Sequence, residues 1–374
     1  MPLWAQTSSA KIIATLQKTI ADQAQWALRE LPQTITSVSC ERSVGGKHDY
    51  YSEGDYWWPD PANPDGPYVQ RDGESNPNNF NAHRELLIRF SRIMGALGSA
   101  YVQRRDDRYV IAALRHAKAW FIDADTKMNP SLLYAQAIKG RVTGRGIGII
   151  DTIHLMEVVQ TLIVMDRDGA IDAGAMSKIK EWFTLYLVWL TTHEYGREEM
   201  NAKNNHGTCW VMQVACFARF VGNYALMDQC REHFKYVLLP RQMEQSGSFP
   251  LELARTKPYG YSIFNLDAMA MICQILSTPA HNLWEYHHDG RTVRKGIEFL
   301  YPYVHAKESW PYPRDIMYWN EWPVAQPFLL FGSLAYCESR WFDTWKELDH
   351  DPQNKEVLRN LPVRNPLIWI VSPE

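Results

Sequence analysis

No run of about 18 apolar residues occurs in this chain, so no segment has the length and character of a membrane-spanning helix. Cysteine is sparse. Cys40, Cys209, Cys216, Cys230, Cys273 and Cys337 are scattered, with no Cys-x-x-Cys pair. That spacing supports neither a zinc site nor a thioredoxin-like motif, and a disulfide framework is not indicated in a chain of 374 residues. Positive charge is not in excess: the formal net charge is −3. A global basic field for nucleic acid or an anionic membrane is thereby excluded, and any anionic ligand must be met by local arginines and lysines. Strand-like alternation is scarce, and there is neither a strong short-period repeat nor a low-complexity tract. The opening segment, MPLWAQTSSAKIIATLQKTIADQAQW, lacks the uninterrupted apolar core of a signal peptide. A periplasmic or secreted location is expected if an export signal has been removed, and a cytoplasmic one otherwise.

Aromatic residues, by contrast, are plentiful. Fifteen tryptophans and nineteen tyrosines exceed what a core of this size needs. Flat amphipathic rings suit sugar faces and helix packing alike. Helical periodicity dominates the remainder. SAKIIATLQKTIADQAQWALREL carries apolar residues at three- and four-residue steps. So do stretches around 81–103, 107–123, 147–166, 174–192, 206–222, 225–239, 262–277 and 324–341. Short Gly, Pro or Asn punctuation separates them, which predicts an all-α chain with many antiparallel neighbours. Three irregular stretches interrupt the pattern, at 43–81, 129–146 and 308–323. The first is long and rich in Gly, Pro, Asp, Asn and aromatics, and long loops inside compact domains are usually functional. The reading is one domain over residues 1–374, with the loops gathered at one end of a helical scaffold.

Two constellations carry candidate chemistry. In NAKNNHGTCW, residues 201–210, Asn204, Asn205 and His206 stand immediately before an apolar helix, which holds its start rigidly. In RQMEQSGSFPLELARTKPYGYSIFNLDAM, residues 241–269, the chain turns at Gly247 and presents Glu252, Arg255, Tyr259 and Tyr261. Together they describe a particular job. Removing a proton alpha to a carboxylate, with loss of the β-oxygen, has three requirements: neutralised carboxylate charge, a base at the C–H, and an acid at the leaving oxygen. Asn, His and Arg meet the first. A tyrosine meets the other two if nearby positive charge lowers its pKa.

These segments resemble the alginate lyase superfamily of polysaccharide lyases. NNHGT and ELART…YGYS carry the resemblance, with YYSEGDYWWPDPANPDGPYVQRDG, NPNNFNAHR and NPSLLYAQAIKGRVTGRGIGIIDT. It runs from about Asp49 to about Met269 and is nearest to polysaccharide lyase family 38, more distantly family 5. The resemblance implies an (α/α) toroid, an incomplete α/α barrel with long irregular loops over the active-site end. It also implies cleavage of a polyuronate by β-elimination. The family's neutralising asparagine and histidine fall on Asn205 and His206, its arginine on Arg255 and its catalytic tyrosine on Tyr261. The arginine-to-tyrosine spacing is slightly shorter than in family 5. Tyr261 is preferred over the nearby Tyr259 because it directly precedes the helical run SIFNLDAMAMI. Glu199, shortly before His206 in the chain, is the candidate to orient the imidazole.

Substrate contacts are expected from the irregular stretches. His48, Tyr50, Trp57, Trp58 and Arg71 would wall a groove, and Asn79, His83 and Arg84 open the next helix, where backbone N–H groups favour anions. Tyr134, Gln136 and Arg145 lie in the second stretch. Asn204 and Tyr259 complete the binding set. The expected partner is an anionic polysaccharide, with no nucleic acid, no membrane insertion, and no prediction of oligomeric state. In β-D-mannuronate and β-D-glucuronate the C5 hydrogen and C4 oxygen share a face, so one tyrosine serves both. In α-L-guluronate they are opposed and a second group, such as His206, is needed. Polymannuronate or glucuronan is therefore favoured. No metal or cofactor is expected: His287, His288 and Asp289 are adjacent in the chain and point apart, and Asn, His and Arg already neutralise the charge. Two rivals remain. A glycoside hydrolase needs paired carboxylates, for which Glu252 and Glu321 are candidates. A non-catalytic glycan binder would use the tryptophans but leave the Asn-His and Arg-Tyr set without a purpose.

Overall fold

The computed structural model describes residues 3–370. The chain is all-α, with four short strands among the described residues. It opens with α1, Leu3–Arg29, and forms two compact units. The first comprises Gln23–Asn201 and Phe220–Gly222. The second comprises Ala202–Arg219 and the chain from Asn223 onward, with the beginning of α1 up to Asp22.

In the first unit α2 (Ala82–Arg104) packs against α3 (Asp107–Phe121) and α4 (Leu155–Arg167), and α3 packs against α5 (Ala173–Thr192). Every residue of α2 from Ile93 to Tyr101 is buried. Four of them, Gly95, Ala96, Gly98 and Ala100, are small enough to let neighbouring helices approach closely. Arg105 ends α2 in the left-handed conformation (φ 52°), and the Asp106 side chain starts α3 by accepting from the Arg108 N–H at 2.9 Å. Part of the aromatic excess goes into this packing. Phe90 stacks on Trp120 with centroids 4.9 Å apart, and Phe121 lies 4.7 Å from Trp182. A short helix, α6 (Glu194–Met200), follows α5.

The irregular stretches of this unit are tied together. β1 (Tyr51–Glu53) pairs in parallel with β4 (Tyr134–Ala137), and β2 (Trp57–Trp58) pairs antiparallel with β3 (Val69–Gln70). The helix expected over 147–166 is broken: a 3-10 segment covers Gly146–Thr152 and α4 begins at Leu155. Gly148 sits where a Cβ would lie 2.5 Å from the Ala135 Cβ, so this segment crosses β4 too closely for a side chain.

In the second unit α7 (Asn205–Val221) is followed by α8 (Tyr224–His233). A π-turn over Phe234–Leu238 continues α8 into α9 (Leu239–Gln242). The one-turn helix α10 (Pro250–Leu253) precedes α11 (Pro258–Leu276), which packs against α10, α12 (Val293–His305) and α13 (Pro327–Tyr336). α11 is buried on almost every side, as expected of a helix apolar all round. It starts earlier than the periodicity over 262–277 predicts, because Pro258 occupies the first turn and the Asp315 carboxylate accepts from the Tyr259 and Gly260 N–H groups at 2.8 and 2.9 Å. The helix expected over 324–341 stops at Tyr336, where Cys337 turns left-handed (φ 54°), and resumes as α14 (Ser339–Glu347). Among the described residues no single helix is long and apolar enough to cross a membrane.

Candidate active site

The Asn-Asn-His sequence divides its labour at the start of α7. Asn204 is the cap: its carbonyl accepts from the Gly207 N–H at 3.0 Å and its side-chain oxygen faces the His206 N–H at 3.4 Å. Asn205 is buried and bound twice by one carboxylate. Its backbone N–H donates to Glu252 Oε1 at 2.7 Å, and its Nδ2 donates to Glu252 Oε2 at 2.8 Å. His206 is half-buried. Behind them Gln242 Oε1 accepts from Thr208 Oγ1 at 2.8 Å and from Asn265 Nδ2 at 3.0 Å, while Gln242 Nε2 donates to the Asn204 carbonyl at 2.9 Å. The start of α7 is thus fixed by α9, α10 and α11 together.

Glu252 is 1% exposed, and burial pushes its carboxyl upward, against the pull of the two Asn205 hydrogen bonds, Arg255 and His206. Arg255 follows α10 and is half-buried, with its guanidinium carbon 4.6 Å from the centroid of the Tyr261 ring. Lys257 Nζ lies 5.2 Å from the same ring and 2.5 Å from Glu356 Oε1. Tyr261, 8% exposed, therefore carries two cations against its ring. Tyr259 lies in different surroundings. It is fully buried, donates its hydroxyl to the Tyr303 carbonyl at 3.0 Å, and burial drives its pKa well above that of an ordinary phenol.

The binding candidates of the first unit form a network of their own. Arg84, buried, pairs with Asp55 at 2.5 Å and reaches Asp151 at 3.4 Å. Asp151 also accepts from Ser52 Oγ at 2.6 Å, from the buried Tyr50 hydroxyl at 3.1 Å and from Gln136 Nε2 at 3.2 Å. Arg145 donates to the Gln136 carbonyl at 2.9 Å. Asn79 Nδ2 donates to the Gly54 carbonyl at 2.6 Å, and the His83 ring bridges the Tyr51 N–H and the Val38 carbonyl at 3.0 and 2.9 Å. His48 contacts the Lys127 carbonyl at 2.7 Å, and Tyr134 is half-buried in β4. Trp57 is half-buried, with the Arg141 and Arg145 guanidinium carbons 5.2 and 5.8 Å from its ring, and Arg71 lies 5.1 Å from the Trp58 ring. Glu199 is buried on α6.

Several participants were not singled out in the sequence as members of a site. The first unit carries an open groove of about 660 Å³ lined by Arg42, Glu53, Lys139, Arg141 and Tyr195, among others. The basic run KGRVTGR at 139–145 is the only local trace of it. Asp55, Asp151 and Asp315 act over long sequence separations and leave no local pattern. Of the two carboxylates considered for a hydrolase, Glu252 is committed to Asn205 and Glu321 is exposed. Among the described residues there is no group of three or more His, Cys, Asp or Glu able to hold a metal ion.

Comparison with known proteins places the chain by family and fold. The family described as "Alginate lyase" matches residues 34–310. An alginate lyase from Bacteroides ovatus is 32% identical, superposes with a TM-score of 0.83, and is covered over 98% of each chain. Alginate lyase A1-III from Sphingomonas species A1 is 14% identical, with a TM-score of 0.55 over 85% of this chain and 87% of that one. A variant of A1-III complexed with a tetrasaccharide is 13% identical, with a TM-score of 0.61 over 95% and 94%. Among curated proteins none matches. The fold shared with these structures is the α/α toroid, and the chain belongs to the alginate lyase family of polysaccharide lyases.

Proposed function

We propose that this lyase cleaves a β-1,4-linked polymannuronate or glucuronan by syn β-elimination, with Tyr261 as both base and acid. The observation that carries the reading is the placing of the Tyr261 ring against Arg255 and Lys257, in the unit where Asn205 and His206 open α7. Positive charge beside a phenol favours its phenolate, and Arg255 is the main source here, because Lys257 is paired with Glu356. The phenolate takes the C5 proton, the electron pair forms the C4–C5 double bond, and the C4–O bond breaks. The same oxygen then returns the proton to the departing bridging oxygen. Asn205, His206 and Arg255 bind the C5 carboxylate and gain strength as negative charge moves onto it, which is the differential binding that lowers a barrier. Tyr259 supports this choice by contrast, since its hydroxyl is buried on the Tyr303 carbonyl.

A polyuronate substrate is in keeping with the relatives, which are alginate lyases, one of them complexed with a tetrasaccharide. The stereochemistry favours sugars whose C5 hydrogen and C4 oxygen share a face. We assign the half-buried candidates of the first unit, His48, Trp57, Trp58, Arg71, Tyr134 and Arg145, to holding the polymer, and the buried Tyr50, Asn79, His83, Arg84 and Gln136 to the network behind them. Product analysis over alginate blocks, glucuronan and glycosaminoglycans tests the assignment. A 4,5-unsaturated uronate, seen by its ultraviolet absorbance, is expected from polymannuronate or glucuronan. Saturated reducing ends would revive the hydrolase, and binding without products would revive the glycan-binding reading.

A further inference from the structure

We infer that Glu252 is a positioning residue, whose carboxylate fixes which edge of the Asn205 carboxamide is presented to the substrate; this rests on the lyase reading above. A carboxylate can only accept, so the Asn205 nitrogen, not its oxygen, must face Glu252 Oε2. The alternative flip would set two oxygens against each other at 2.8 Å. The second contact makes the arrangement rigid: Oε1 is held by the Asn205 backbone N–H at 2.7 Å, so the carboxylate cannot swing away. The group doing the holding is itself fixed in place, on a one-turn helix begun by Pro250 and only 1% exposed. One Nδ2 hydrogen is thereby committed to Glu252. The second hydrogen on that nitrogen and the carbonyl oxygen remain to define the edge offered to a ligand.

A sharp consequence follows for Glu252→Gln. The backbone N–H of Asn205 can only donate, so it claims the new carboxamide's oxygen. The new NH₂ then faces the Asn205 side chain, which must turn its oxygen inward. Shape and the helix-start contact are kept, but the edge offered to the substrate is exchanged.

The test is a double-mutant cycle on the full chain, with unsaturated product as the readout. Glu252→Gln is expected to lower kcat by about tenfold to a hundredfold with an unchanged thermal melt. In an Asn205→Ala background the same change should cost less than about twofold, because a residue acting through Asn205 has nothing left to act on. Equal losses in both backgrounds would show that Glu252 acts otherwise than through Asn205, whether structurally or on Arg255 and His206, and would overturn the inference, as would an unimpaired Glu252→Gln. If Glu252→Gln does not fold, Glu252→Asp, which keeps the charge but withdraws it by one methylene, enters the same cycle with the same criteria. Wild-type protein that yields no unsaturated product from any polyuronate would remove the lyase reading, and this inference with it.

Discussion

Tyr259 and Tyr261 lie in the same turn of α11, yet their partners differ: the Tyr259 hydroxyl is spent on the Tyr303 carbonyl, while the Tyr261 ring lies against Arg255 and Lys257. Tyr259→Phe removes one hydrogen bond to a backbone carbonyl, so it should cost about 1 kcal/mol of stability and leave turnover nearly intact. Unfolding in denaturant and the product assay check the two halves separately. His206 should behave differently. If it stabilises charge that develops on the substrate carboxylate, His206→Ala lowers kcat by about a hundredfold and moves KM much less. A change confined to KM would make it a ground-state contact. These candidates stand out in the sequence because they sit in two short runs, NNHGT and ELART…YGYS. Their partners do not. Glu252 is 47 residues from Asn205, and its bond to Asn205 leaves no trace in the sequence, since no local pattern says that two loops meet.

Helices were legible from their apolar spacing, and their ends less so, because the ends depend on partners from elsewhere. α11 begins at Pro258 because Asp315 reaches its first turn from 55 and 56 residues away. α13 begins at Pro327 because Asp267, on α11, accepts from the Phe328 N–H at 3.0 Å and from Gln326 Nε2 at 2.6 Å. That second device has a pH signature. Burial raises the Asp267 carboxyl from 3.8 to about 8. Between about pH 4 and pH 8 the folded chain then holds a proton that the unfolded chain has lost, so stability falls as pH rises through this window. Asp267→Asn should flatten that slope in melts recorded across the window, while lowering stability at the acid end through one mismatched contact. A variant with the wild-type slope would show that another group sets it.

On the scale of the whole molecule, a net charge of −3 coexists with cations gathered in particular places: Arg42, Lys139 and Arg141 along one open groove, and Arg255 and Lys257 around Tyr261. Composition alone excluded a basic field but could not show this clustering, which depends on contacts between distant segments. The loop over 43–81 was legible as unusual, and its pairing with the 134–137 strand was not, because three-residue strands carry too little alternation to read. If the loop grips the polymer, Trp57→Ala and Arg71→Ala should lower kcat/KM on long oligomers by about threefold to tenfold, and less on the shortest substrate cleaved. Equal losses at every length would point to damage at the reacting centre instead. The central claim is that one phenol oxygen performs both proton transfers. Its most direct test is the rate of ultraviolet-absorbing product formed from polymannuronate and glucuronan by wild-type protein and by Tyr261→Phe. The account predicts product from the wild type on at least one of these polymers, and none above background from a folded Tyr261→Phe that still binds it. A Tyr261→Phe protein that turns over at a rate near wild type would contradict it.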